Sequence, residues 1–119
     1  MEQSNSALRR GLAIAERHLE LNPDDARAWY LGAGALIQLG QPDRAREWIR
    51  RARAIDPEDQ LVLYNVACDY ALLGELEEAM TCLEQALLHG FGHKEWLERD
   101  SYLDALRPDP RFQALLKKV

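Results

Sequence analysis

Apolar residues return along this chain at intervals of three and four, the spacing of one face of an α-helix, and glycine or proline punctuates them at regular places. In residues 43–55, Ala45, Trp48, Ile49, Ala52 and Ile55 share one face, while Arg46, Arg50 and Arg53 share the other, which is expected to face solvent. The same pattern predicts amphipathic helices over 6–21, 26–39, 60–73 and 77–88. A short helix near Lys94 to Arg99, a turn, and a last helix with Asp109 as N-cap and Pro110 in its first turn follow. Gly40 and Gly74 stand where the chain must turn back, in a left-handed conformation that a side chain would penalise, and Pro42 stands where a helix start tolerates a missing N–H.

These elements repeat. A shift of 34 residues lays Pro23 on Pro57, Asp25 on Asp59, Tyr30 on Tyr64, Ala33 on Ala67, Leu39 on Leu73, Gly40 on Gly74, Ala45 on Ala79 and Ala52 on Ala86. Each unit is a helical hairpin in which the recurring alanines mark the close approach of two helices, with Trp29, Leu36, Leu63 and Tyr70 filling the space beside them.

In Trp29, Ala33, Leu36, Gly40, Ala45, Ile49, Ala52 and Pro57, and again in Ala67, Tyr70, Gly74, Ala79, Leu83 and Ala86, the chain resembles the tetratricopeptide repeat. It departs from that pattern at Gly32, where a larger apolar residue is usual and a locally thinner hairpin is expected, and at Phe91, where the closing proline is missing and the array is expected to stop. The resemblance implies an all-α, right-handed superhelix of hairpins in one domain over 1–119. Its parts are a half-repeat helix at 6–21, repeats at 26–59 and 60–93, and a C-terminal cap at 94–119. The second half, with Gly90-Phe91-Gly92, Trp96-Leu97 and Leu106-Arg107-Pro108-Asp109-Pro110, is similar to bacterial segments that close multidomain signalling proteins, kinases and cyclases among them. In the cap, Trp96, Leu103, Leu106, Phe112 and Leu115 are expected to cover the open edge of helix 77–88.

The resemblance implies a binding module rather than an enzyme, in which the first helix of each unit lines a concave groove. Helical spacing places Tyr30, Gly34, Ile37 and Gln38 of one unit there, with Leu61, Tyr64, Asn65, Cys68 and Leu72 of the next. The lining is mainly apolar and aromatic. It suits a peptide or amphipathic helix of a protein partner, with the Asn65 amide available to a peptide backbone. The alternative is a packing surface for self-assembly, with Tyr30, Leu61 and Tyr64 covered by the chain's own C-terminal helix or by a second copy. The Lys/Asn/Arg clamp with which some members hold chaperone C-termini falls on Tyr30, Gly34, Asn65, Glu95 and Arg99, so most of its cationic charge is missing.

Residues 6–21 look like the second helix of an earlier unit. Leu8, Leu12, Ala15 and Leu19 are expected to pack on the hairpin that follows, and Ala7, Gly11, Ile14 and His18 form a second, outer stripe. That stripe suggests a piece of a longer protein more than a finished cap, and a weak homodimer through residues 7–18.

Charge and chemistry narrow the field. Nine arginines stand against seven acids in residues 1–55, but between Arg53 and Lys94 there is no Lys or Arg, while Glu58, Asp59, Asp69, Glu75, Glu77, Glu78 and Glu84 accumulate; nucleic acid would be repelled there. The run Arg44, Arg46, Arg50, Arg51, Arg53 is interleaved with acids and lacks alternating aromatics for base stacking, so it reads as a solvated face. His89 and His93 are separated by Gly90 and Gly92 and have no second ligand pair, so no metal and no cofactor is expected. Cys68 and Cys82 read as reduced packing residues, and Asp24-Asp25 and Glu77-Glu78 as charges that suit helix starts. With no phosphate-binding glycine loop, no secretory leader pattern and no apolar run of about 20 residues, a cytoplasmic, membrane-free, non-catalytic protein is expected.

Overall fold

The computed structural model describes residues 2–119; Met1, the first residue of the domain expected over 1–119, lies outside them. All regular structure among these residues is helical: α1 (Glu2–Leu21), α2 (Ala26–Gln38), α3 (Pro42–Ile55), α4 (Gln60–Leu73), α5 (Leu76–Leu88), α6 (Lys94–Arg99), a 3-10 segment (Ser101–Leu106) and α7 (Pro110–Leu116). The chain divides into two compact units, Met1–Pro57 and Glu58–Val119.

The helix boundaries follow from the caps. Asp25 accepts a hydrogen bond from the Ala28 N–H, Asp59 from Leu61 and Val62, and Asp109 from Arg111, each satisfying backbone donors left open by the first turn. Gly40 and Gly74 have φ of 78° and 80°, the left-handed conformation that ends the first helix of each hairpin. Pro42 opens α3.

In the first unit α2 packs on α3, and α1 packs on α2. Ala33, Leu36, Ala45, Ile49 and Ala52 are fully buried between the paired helices, and Leu12 and Leu19 of α1 are buried beside them. Gly32, where the repeat pattern usually has a bulkier residue, faces the ring of Trp48: a Cβ built on Gly32 would overlap Cζ3 and Cε3 of that indole. The volume missing at Gly32 is therefore supplied by the second helix of the hairpin rather than left as a thin spot. Trp48 in turn meets Trp29 edge to face, with ring centres 5.1 Å apart, and the Trp29 Nε1–H donates to the Pro23 carbonyl at 2.8 Å.

In the second unit α4 packs on α5, and its sequence is apolar nearly all round, so residues from Val62 to Ala71 are buried with the one half-buried exception of Asn65. The tail supplies the extra cover, but not as the sequence suggests. The 3-10 segment lies chiefly on α4 rather than on α5, while α7 contacts α5 and α6. Leu97, Leu103, Leu106 and Phe112 are fully buried and Leu115 nearly so; Trp96 is 41% exposed, because on this single helical turn it is Leu97 that faces inward. Arg107 holds the tail together, donating to the Leu97 and Asp100 carbonyls at 3.0 and 2.8 Å and so satisfying acceptors that the short α6 leaves open. Arg111 ties α7 to α5 through Glu77 and Glu84 at 2.6 and 2.9 Å.

Asp69 is the one buried charged residue among the described positions, and its Oδ2 has no hydrogen-bond partner. Burial pushes its pKa well above the ordinary carboxylate range.

Two stability changes are expected. Gly32→Ala would gain about 1 kcal/mol of helix propensity in an open helix, but here overlap with Trp48 costs about 1–3 kcal/mol, so urea denaturation should show a net loss, and in a Trp48→Leu background the same change should cost less. Asp69→Leu should stabilise the chain by about 1–3 kcal/mol at neutral pH. Because the folded pKa of Asp69 is raised, its contribution is fully present below the unfolded pKa of about 4 and is lost as pH rises through the folded value. The gain from Asp69→Leu should therefore grow between about pH 4.5 and about pH 7.5, as read from urea midpoints at the two values.

Candidate protein-binding site

Of the residues expected to line a groove, those on α4 divide into covered and open. Tyr64 and Cys68 are buried. The Tyr64 hydroxyl donates to Asp100 Oδ2 at 2.7 Å, and the Cys68 thiol approaches the same oxygen at 3.8 Å. The other carboxylate oxygen of Asp100 accepts from the Tyr102 N–H at 2.9 Å, capping the 3-10 segment. Above Tyr64 lies a stack of rings: Phe91 is nearly parallel to it at 4.7 Å, Trp96 is tilted at 5.6 Å, and His93 lies flat on Trp96 at 4.3 Å. Burial, and then the bond to Asp100, push the Tyr64 phenol far above its usual range; burial and the nearby Asp100 charge do the same for the Cys68 thiol. Neither group is poised for acid–base or nucleophilic work.

This inner face of α4 is thus filled by the chain's own tail. Leu61 and Leu72 stay open at 43% and 38% exposure. Asn65 is half-buried, and its amide N–H is engaged by the Leu61 carbonyl at 2.8 Å, which leaves its side-chain oxygen for any partner. Glu95 and Arg99, the other positions weighed for a carboxylate clamp, are exposed on α6.

On α2, Tyr30, Gly34 and Ile37 are half-buried and Gln38 is exposed. Gln38 also belongs to a feature that groove spacing did not identify, an apolar trough of about 670 Å³ between α1 and α2. Its floor is mostly small: Ala7, Gly11 and Ala15 on one side with Leu8 beside them, and Ala28, Gly32 and Ala35 on the other. Ile14 and Leu31 stand at its lips, 68% and 54% exposed. The outer stripe Ala7, Gly11, Ile14, His18 was legible in the sequence, but the facing wall on α2 was not, because the pairing of α1 with α2 is a tertiary fact.

The arginines of α3 are occupied. Arg44 pairs with Glu16 at 2.8 Å, Arg46 with Asp43 at 3.0 Å, and Arg50 and Arg51 with Glu47 at 2.6 and 3.3 Å; Arg51 also lies over the Trp29 ring at 5.0 Å. Among the described residues no three His, Cys, Asp or Glu side chains converge as a metal site. His93 is committed to the ring stack, and Cys68 and Cys82 are buried thiols outside any disulfide. Among the same residues no helix is long and apolar enough to cross a membrane.

Tyr64→Phe would leave Asp100 Oδ2 with only a thiol donor. It should cost about 1–2 kcal/mol in urea denaturation, with the near-ultraviolet signal of the ring stack altered before the far-ultraviolet helix signal changes.

A family profile described as tetratricopeptide repeat matches residues 4–67, and a second with the same description matches residues 62–88. The chain is also 36% identical over 88 residues to a chloroplastic protein of Arabidopsis thaliana, an alignment that takes in 69% of this chain and 26% of that protein. It spans about a quarter of the length of that relative. The paired helices, the glycine-ended first helix of each hairpin, and a profile match over more than half its length agree: the chain belongs to the tetratricopeptide-repeat family, whose repeats serve as protein–protein interaction or scaffold modules.

Proposed function

We propose that this chain is the interaction module of a larger protein and takes a helix or peptide of a protein partner on its first unit, in the trough between α1 and α2. The observation that carries this reading is a contrast. Tyr64 and Cys68, the centre of the expected groove on α4, are sealed by Asp100 and the ring stack, whereas the α1/α2 trough is apolar, open and about 670 Å³. Within the first unit, Tyr30, Gly34 and Ile37 of α2 then serve as flanking surface rather than as the anchor site. The pairing of the α3 arginines supports protein over nucleic acid as the ligand, since the charges that would meet phosphates already meet carboxylates. The likeness to a relative about three times as long supports a place within a longer protein, as the similarity to chain-closing bacterial segments also does. Non-catalytic, cytoplasmic action fits the same picture.

Homodimerisation through residues 7–18 is a second reading, favoured by the exposure of Ile14 on the same stripe. One set of variants tests both. A partner captured from the source cell should be lost with Gly11→Leu, which fills the trough where nothing lies within 4 Å, and kept with Leu72→Glu on α4. The reverse pattern would return the site to the expected groove. Light scattering that shows a concentration-dependent dimer, abolished by Ile14→Glu, would establish self-association instead.

A further inference from the structure

We infer that the occupant of the α1/α2 trough is an acidic amphipathic helix of another protein; this rests on the choice of surface argued above. Shape supports a helix. From Ala7 to His18 the trough runs about 16 Å at the α-helical rise of about 1.5 Å per residue, which is three turns of a partner helix. With Ala and Gly along its floor, a docked helix can approach to the short end of the usual interaxial range, about 8 Å. Ile14 and Leu31 at the lips then give it two bulky apolar contacts, in the manner of a helix laid in a groove.

Charge names its chemistry. Arg10 lies three residues after Ala7 and four before Ile14, Arg17 three after Ile14, and Arg27 four before Leu31, so helical spacing sets all three beside the lips. All three are exposed, and none is paired with a carboxylate among the described residues. The nearby acids are committed or face elsewhere. Asp25 is bound by His18 at 2.7 Å and Glu16 by Arg44 at 2.8 Å; Glu20, four residues after Glu16, shares its opposite face, and Asp24 sits in the loop joining the helices. The trough is therefore an apolar strip between uncompensated cations, and its complement is an apolar stripe flanked by carboxylates. A second copy fits less well, because pairing α1 with α1 about a two-fold axis would set Arg10 and Arg17 against their own kind.

The test uses the full 119-residue chain and two labelled helical peptides of about five turns. Both carry Leu or Ile at the three-and-four spacing, one with Glu and the other with Lys on the flanks. Fluorescence anisotropy should show the Glu peptide binding at least about tenfold more tightly, with an advantage that shrinks as salt rises. Changing Arg10, Arg17 and Arg27 together to Glu should invert the preference. Gly11→Leu should weaken the Glu peptide by at least about tenfold while circular dichroism stays unchanged. Equal binding of both peptides, blocked by Gly11→Leu, would keep the trough as the docking site and overturn the acidic partner. Binding indifferent to Gly11→Leu would overturn the site as well. Failure of both peptides to bind, or a chain dimeric in sedimentation that Gly11→Leu renders monomeric, would overturn the acidic helix as occupant.

Discussion

Helix α4 is apolar on nearly every side, and an isolated hairpin can cover only one of those sides. An α-helix hidden along one stripe needs one neighbour, whereas a helix buried all round needs several. In the second unit α5 covers one flank and the tail another, so the 3-10 segment, Phe91 and the ring stack are consequences of what α4 must hide. The hydrogen bond from Tyr64 to Asp100 belongs to the same requirement: a hydroxyl taken out of water needs an acceptor, and the tail brings one. Covering α4 in this way buries Tyr64 and Cys68 of the expected groove and leaves Leu61 and Leu72 open.

The first unit solves its packing differently. Its close contacts rest on small residues, with Ala33, Ala45 and Ala52 at zero exposure, and on one exchange of volume, in which Gly32 gives way so that Trp48 can lie against α2. The two indoles then brace each other, and Arg51 lies over Trp29. Because α1 presents Ala7, Gly11 and Ala15 toward α2, the two helices meet without a bulky filler at the outer edge, and the trough is the space that results.

Electrostatics separates structural charge from available charge. The arginine run on α3 is the strongest basic signal in the sequence, yet Arg44, Arg46, Arg50 and Arg51 meet Glu16, Asp43 and Glu47 at 2.6 to 3.3 Å. Such exposed pairs contribute little to stability, about 0–1 kcal/mol each, but they remove the run as an attractor of phosphates. In the first unit, Arg10 and Arg17 on α1 and Arg27 at the start of α2 meet no carboxylate among the described residues, and no long run announces them.

The sequence by itself determined the helices, the hairpin repeat and most of the helix ends, the exception being α1, which starts at Glu2 rather than at residue 6. Three-and-four periodicity, cap residues such as Asp59 and Asp109, and glycines that must turn left-handed are local properties, decided within a few residues of one another. The 34-residue repeat carried the family for the same reason, since it records which residues each hairpin buries. The candidate site was only half legible: the stripe Ala7, Gly11, Ile14, His18 could be read from spacing, but not what stands opposite it. Only the tertiary structure decided that Leu97 rather than Trp96 turns inward, that the tail covers α4 before α5, and that Tyr64 is closed off by Asp100, 36 residues away. Periodicity tells which face of a helix is apolar; which neighbour buries that face depends on competition among all the apolar faces at once, and that competition is settled only when the chain is packed.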